Sequence, residues 1–341
     1  VLLIAPKVRV KAMLDKYNRE INYLRVSITD RCNLRCVYCR PKEGISLQGH
    51  DDILRYEEIL RVVAVAVKMG LVKVRVTGGE PLVRRGCVEF LAALKKINGL
   101  RDVSLTTNGI LLEDFAPSIY AAGISRINVS LDSLNPDKYS RITNGGSLQA
   151  VLRGIARAEE VGFAPIKINT VAIRGFNEDE VLDFAQLAIR KPYQVRFIEL
   201  MPIGQHQLTG GHDYIPGREL IEKISRHYAL EKIPGKKDRA DGPAKIFRIR
   251  KGQGEIGFIN PVSDHFCSTC NRLRLTSDGK LRVCLLSEKE IDLKKALRDH
   301  LSDAELERLL VEAIFSKPQK HDLVCTENSL RKCRNMSAIG G

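Results

Sequence analysis

The sequence predicts an α/β protein: six parallel strands, each followed by a helix, curled into a partial (β/α)6 barrel, with a smaller α+β segment after it. Three observations carry this. Short β-branched runs alternate with longer stretches of helical apolar spacing through the first two hundred residues. The runs end in loops rich in Gly, Asn, Asp or Cys. After about residue 215 the alternation stops and a hairpin signal appears. Helical crossovers between parallel strands are right-handed, so the sheet must curl one way. A closed eight-stranded barrel needs two more strand–helix units, and the sequence does not offer them.

Residues 23–28 read as the first strand and lead into a loop with three cysteines. Residues 55–69 carry apolar side chains at helical spacing, and Gly70 supplies the stop. Residues 72–76 form the second strand and end in Thr77-Gly78-Gly79-Glu80-Pro81. Further strands are expected at 103–107, 126–131, 166–171 and 194–199, with helices such as 147–161 and 178–189 between them. Beyond the barrel come a helix at 218–227 and a strand at 246–249. Strands at 271–276 and 280–285 flank Ser277-Asp278-Gly279, a hairpin signal that carries Cys284 back beside Cys267 and Cys270. Helices at 293–300 and 303–315 precede a polar tail ending in Gly340-Gly341. The boundary falls between 205 and 240, giving a barrel over 17–225 and a C-terminal unit over 226–341 that closes the barrel mouth.

With 44% hydrophobic residues, the 341-residue chain has material for a core, which excludes a disordered protein. No run approaches the roughly 20 apolar residues that span a bilayer, and the opening is too short for a secretion signal. A soluble, cytoplasmic protein is expected. The chain opens on Val1, and a transit segment upstream in a eukaryote would move that expectation to the mitochondrial matrix. The net charge of +14 attracts polyanions, but the basic residues are scattered and the densest runs, 236–239 and 331–334, are short. With 6% aromatic residues there is little to stack bases on, so a nucleic-acid partner is not expected.

The nine cysteines are grouped. Cys32, Cys36 and Cys39 follow a C-x3-C-x2-C spacing, while Cys267 and Cys270 are followed, after thirteen intervening residues, by Cys284. An odd total in tight groups argues against a disulfide framework. Two thiolate triads, each lacking a nearby fourth sulfur, read as metal sites with an open coordination position. Cys87, Cys325 and Cys333 read as incidental, with Cys325 or Cys333 as a fourth ligand the exception to test. His265 beside the second triad is either a zinc ligand or a bystander, the latter preferred.

The first spacing, with Tyr38 before the last cysteine, resembles the radical S-adenosylmethionine (radical SAM) superfamily, whose fold is a TIM-like partial barrel. Gly78-Gly79-Glu80-Pro81, one strand later, resembles its segment for the methionine amino group. Glycine there lets the backbone approach closely. The second triad within Phe266-Cys267-Ser268-Thr269-Cys270-Asn271-Arg272-Leu273-Arg274 narrows the resemblance to the GTP 3′,8-cyclases, which open molybdenum-cofactor biosynthesis. Leu24–Cys32, Arg75–Leu82, Leu105–Gly109, Asn128–Asp132, Arg196–Glu199 and the final Gly340-Gly341 match in family order, so the resemblance runs from about Tyr17 to the end.

The resemblance implies two [4Fe-4S] clusters, one on Cys32, Cys36 and Cys39, the other on Cys267, Cys270 and Cys284. It implies S-adenosylmethionine contacts from Tyr38, Gly79, Ser130 and Met201. GTP contacts fall to Arg25, Arg75, Thr106, Lys167, Arg272, Leu273 and Arg274, with Arg196, Gly340 and Gly341 in catalytic roles. The implied reaction is a lyase rearrangement of GTP to (8S)-3′,8-cyclo-7,8-dihydroguanosine 5′-triphosphate, a product passed to cyclic pyranopterin monophosphate synthase. A monomer or homodimer and an unidentified electron donor complete the picture. Taken singly, these residues also have plain readings: Arg25 or Arg75 in an ion pair, Lys167 facing solvent, Ser130 or Thr106 capping a helix, Met201 filling a core. A peptide-modifying radical enzyme leaves Arg272-Leu273-Arg274 unexplained. A zinc-stabilised nucleic-acid-binding protein is separated by its metal.

Overall fold

The computed structural model describes residues 13–40, 46–203, 213–233, 242–321 and 336–340. Strand and helix alternate as β1 (Tyr23–Ser27), α1 (Tyr56–Met69), β2 (Lys73–Thr77), α2 (Cys87–Lys95), β3 (Asp102–Thr107), α3 (Leu112–Ala121), β4 (Ile127–Ser130), α4 (Pro136–Thr143), α5 (Leu148–Val161), β5 (Ile166–Ala172), α6 (Val181–Arg190) and β6 (Gln194–Glu199). Then follow α7 (Gly217–Ser225), β7 (Leu230–Lys232), β8 (Lys245–Ile249), β9 (Glu255–Ile259), β10 (Arg272–Leu275), β11 (Lys280–Arg282) and β12 (Glu290–Asp292). Last come α8 (Leu293–Arg298), α9 (Asp303–Ser316) and α10 (Met336–Ile339).

The helices form where the sequence supplies both a buried stripe and a cap. In α5, Leu148, Val151, Ile155 and Ala158 are buried on one face. Ser147 caps its start by accepting from the Ala150 N–H, and Gly162 ends it in a left-handed turn. In α9, Ser302 and Glu305 close a capping box.

Strands β1 to β6 pair in order, all parallel. Two further strands join this run in parallel, β9 beside β6 and β10 beside β1. The sheet therefore has eight successive parallel strands, two more than the sequence pattern indicated, and the extra two come from the C-terminal third. It stays open, because antiparallel β8 and β7 continue one edge and β11 and β12 the other. The curl is evident from the side chains: alternate residues of β1, β2, β5, β6 and β10, with residues of β3, β4 and β8, line one cavity of about 1020 Å³. The intervening residues, such as Leu24, Val26, Val74, Val76, Ile168 and Phe197, pack outward against the helices. Strand β9 is short and contains Gly257, so it lacks the β-branched run that marks its neighbours.

Candidate active site

The cavity has a triad of cysteines at each end. Cys32 lies five residues past the carboxyl end of β1, and Cys36 and Cys39 follow on the same loop. Cys270 lies two residues before β10, and Tyr23 pairs in parallel with Arg272, so the second triad sits at the amino end of the same strands. The hairpin returns Cys284 to that end after antiparallel β11. A strand of five residues separates the two ends by roughly 13 Å. The expectation that the C-terminal segment covers the barrel mouth is corrected here: the parallel pairing of β10 with β1 takes the second triad to the opposite end.

The first triad loop is fixed by its backbone. Arg35 N–H donates to Thr143 O at 3.1 Å, Val37 N–H to Ile142 O at 2.9 Å, and Cys39 N–H to Cys36 O at 2.9 Å. Leu34 N–H and Asn108 Nδ2 donate to Cys32 Sγ at 3.3 and 3.7 Å. The Tyr38 hydroxyl donates to Asp132 Oδ2 at 2.6 Å. Gly79 N–H donates to Thr29 O at 2.6 Å, and a Cβ on Gly79 would meet Arg31 O at 2.3 Å, so only glycine allows the two loops to touch. Burial is the main force that pushes the Cys36 thiol well above its ordinary pKa, and the other thiols add to it. Such thiols ligate by giving up their protons to a metal.

The second triad has a different field. Burial alone would raise Cys270, but Arg272 and Lys317 outweigh it and bring its pKa to about 6. Cys267 opens a single 3-10 turn, and its carbonyl accepts from Arg19 Nη1 at 2.7 Å. His265 lines the cavity with its ring 5.3 Å from that of His321. Among the described residues, no group of three or more His, Cys, Asp or Glu could hold a single metal ion. Each donor set is three thiols, which fits an iron–sulfur cluster that keeps one open coordination position.

Between the triads the wall is cationic. Arg274, Arg25 and Arg75 lie side by side on adjacent strands, and Lys167 and Arg196 complete the ring on β5 and β6. Like charges in register repel, and a polyanion in the cavity relieves them. Burial and mutual repulsion push Arg25 to about 10, Arg196 to about 9 and Lys167 to about 6. Asp102 neutralises only the lower pair, at 3.1 Å from Lys73 Nζ and 2.8 Å from Arg126 Nη1. Tyr23 OH, Thr106 Oγ1 and Asn169 Oδ1 are buried on the lining with no hydrogen-bond partner among the described residues, an arrangement expected of groups that serve a ligand.

Arg25, Arg75, Thr106, Lys167, Arg196, Arg272, Arg274, Tyr38, Gly79, Ser130, Met201 and all six triad cysteines line this one cavity. Leu273 is the exception. Between two inward arginines on a strand of period two, its side chain turns outward and packs in the core at 3% exposure. Gly340 reaches the interior from the tail: its carbonyl accepts from Arg274 Nη1 at 2.8 Å, its φ is +84°, and a Cβ there would meet Ser27 Cβ at 2.8 Å. Gly341, Cys325, Cys333 and both dense basic runs lie outside the described residues. Cys87 is buried in the core at the start of α2. Sequence reading missed Tyr23 and Lys73, although each lies two residues before a predicted arginine on the same strand face. Arg19 and Lys317 carry no local signal.

A family profile described as Radical SAM superfamily matches residues 26–188, and one described as Molybdenum Cofactor Synthesis C matches residues 193–323. The chain is 49% identical over 329 residues to the GTP 3′,8-cyclase of Alkaliphilus oremlandii, covering 96% of this chain and 100% of the relative. It is 50% identical over 330 residues to the GTP 3′,8-cyclase of Moorella thermoacetica, with coverage of 96% and 100%. Among solved structures, Streptococcus suis SuiB bound to S-adenosylmethionine superposes with a TM-score of 0.57 at 16% identity, over 89% of this chain and 68% of that one. SuiB bound to its precursor peptide SuiA gives 0.59 at 15%, over 89% and 67%. At that identity the likeness concerns the fold alone. Identity near one half along the full length of curated relatives places the chain in the GTP 3′,8-cyclase family of the radical SAM superfamily.

Proposed function

We propose that the chain is a GTP 3′,8-cyclase acting in molybdenum-cofactor synthesis, with a [4Fe-4S] cluster on each triad and GTP held between them. The observation that carries this is the row Arg274, Arg25 and Arg75 in a cavity with cysteines at both ends. When bound, the first cluster and S-adenosylmethionine would supply one-electron radical chemistry at the 3′ position of GTP.

The chain's own residues do the rest. Cys32, Cys36 and Cys39 hold the first cluster, and Tyr38, Gly79, Ser130 and Met201 seat S-adenosylmethionine beside it. Cys267, Cys270 and Cys284 would hold the second cluster at the end of the cavity where the guanine of GTP would lie. Arg25, Arg75, Arg272, Arg274, Arg196 and Lys167 neutralise the triphosphate, with arginine forks matching phosphate oxygens, and Thr106 offers a hydroxyl that has no partner among the described residues. Gly340, with Gly341 after it, brings a carbonyl onto Arg274 and fixes that guanidinium. Leu273 serves by keeping the two arginines beside it on the inner face. A cytoplasmic site of action fits a chain in which, among the described residues, no helix is long and apolar enough to cross a membrane. The product would pass to a cyclic pyranopterin monophosphate synthase.

The deciding experiment is an anaerobic assay of the iron-sulfide-reconstituted protein with S-adenosylmethionine, reductant and GTP, followed by mass spectrometry. Formation of 5′-deoxyadenosine together with a rearranged isomer of GTP is expected. Formation of 5′-deoxyadenosine with GTP untouched would keep the radical site and reject the substrate. Bound zinc in place of iron and sulfide would reject both.

A further inference from the structure

Lys317 follows the last residue of α9, and only 2% of it is exposed. Its ammonium donates to Arg272 O at 2.9 Å and to Val283 O at 2.5 Å. Arg272 lies two residues after Cys270, and Val283 immediately precedes Cys284. One side chain thus joins the two arms that carry two of the three thiols. Lys317 also lines the cavity at that end.

Arg19 gives the contrast. It too grips the triad, through Cys267 O at 2.7 Å, and it ties in the segment after Lys317 through Pro318 O at 2.7 Å and Gln319 O at 3.1 Å. Its charge, however, is met by Asp15 at 2.6 Å, a carboxylate with no exposure. Among the described residues no ion pair serves Lys317; its acceptors are two neutral carbonyls. A buried charge without a counterion is costly. Burial, with the Arg19 and Arg272 cations, lowers its pKa, and the Cys270 and Cys284 thiols are the neighbours that oppose this and favour the protonated form.

We propose that Lys317 is a positioning residue for the second cluster: it joins the Cys270 and Cys284 arms through their backbone and supplies the fixed countercharge to their thiolates. This rests on the two-cluster reading above. Net charge and hydrogen bonding around the sulfurs set the potential of an iron–sulfur cluster, so a fixed cation there favours the reduced state.

The test uses the full 341-residue chain with Cys32, Cys36 and Cys39 replaced by alanine, so that only the second site titrates. Iron and sulfide content and an EPR-monitored redox titration are compared for Lys317, Lys317→Met and Lys317→Arg. Lys317→Met should either shift the midpoint to more negative potential or lose the iron. Lys317→Arg should stay closer to the unsubstituted chain in both respects. Full iron and an unshifted midpoint in Lys317→Met would overturn the proposal, as would equal damage in the two variants. Absence of iron with Lys317 in place would instead overturn the two-cluster reading on which it rests.

Discussion

Lys167 shows most directly what the cavity is built for. Burial, then the cations Arg196, Arg126, Arg75 and Lys73, bring its pKa to about 6. At neutral pH it is therefore mostly uncharged in the empty cavity. The sign of the linkage follows: between about 6 and the ordinary 10.5 the unfolded chain holds a proton that the folded chain lacks. Lys167 thus lowers the stability of the empty fold across that window, and the cost fades as pH rises through it. On the proposed reading a bound triphosphate reverses the repulsion and recharges the amine, so binding should take up a proton and tighten as pH falls toward 6. Calorimetry of GTP binding at neutral pH, in two buffers of different ionisation heat, should show an uptake smaller by up to about one proton in Lys167→Met. Equal uptake in the two proteins would place that proton elsewhere. The period of two in β5 was visible in the sequence, but it leaves open which face looks inward. Burial against β4 and β6 settles that, and Lys167 faces the cavity instead of solvent.

Among the elements, the loops after β2 and β3 depend on one carboxylate. Glu80 accepts from Leu82 N–H at 3.1 Å, from the Thr107 hydroxyl at 2.8 Å and from Asn108 N–H at 2.6 Å. Asn108 in turn reaches Cys32 Sγ, so Glu80 holds two loops against the first triad. Glu80→Ala strands three donors and should cost about 2–3 kcal/mol, read by chemical denaturation, together with weaker S-adenosylmethionine binding. Unchanged values in both would reduce Glu80 to a space filler. These loops were legible because each follows a clear strand and carries its own signal in glycine, asparagine or cysteine. Strand β6 was expected at residues 194–199 and forms there, and α5 and α9 form within a residue of expectation. Strand β9 was missed because five residues with a central glycine give no periodic signal, while pairing with β6 stabilises it from outside.

At the scale of the molecule, the sheet makes the C-terminal third inseparable from the barrel. Strands β9 and β10 cover the edges of β6 and β1, and they complete the wall of the cavity. A fragment ending at Ser225 would expose both edges, a known route to aggregation. We expect the whole chain to unfold in one cooperative step and the fragment to be insoluble or to lack fixed tertiary packing. A fragment with its own sharp thermal transition would show two independent units. The sequence alone determined the local chemistry: the two cysteine spacings, the glycines that let loops touch, and the alternation that sets Arg272 and Arg274 on one face. Those are rules over two to seventeen residues, and the chain obeys them wherever it lies. Only the tertiary structure decided that the triads stand at opposite ends of one cavity, that Gly340 docks on Arg274, and that Arg19 and Lys317 grip the second triad. Arg19 is 248 residues from Cys267, and no local pattern encodes such a contact. It arises because β1 pairs with β10 in parallel, and burial of the whole sheet selects that pairing.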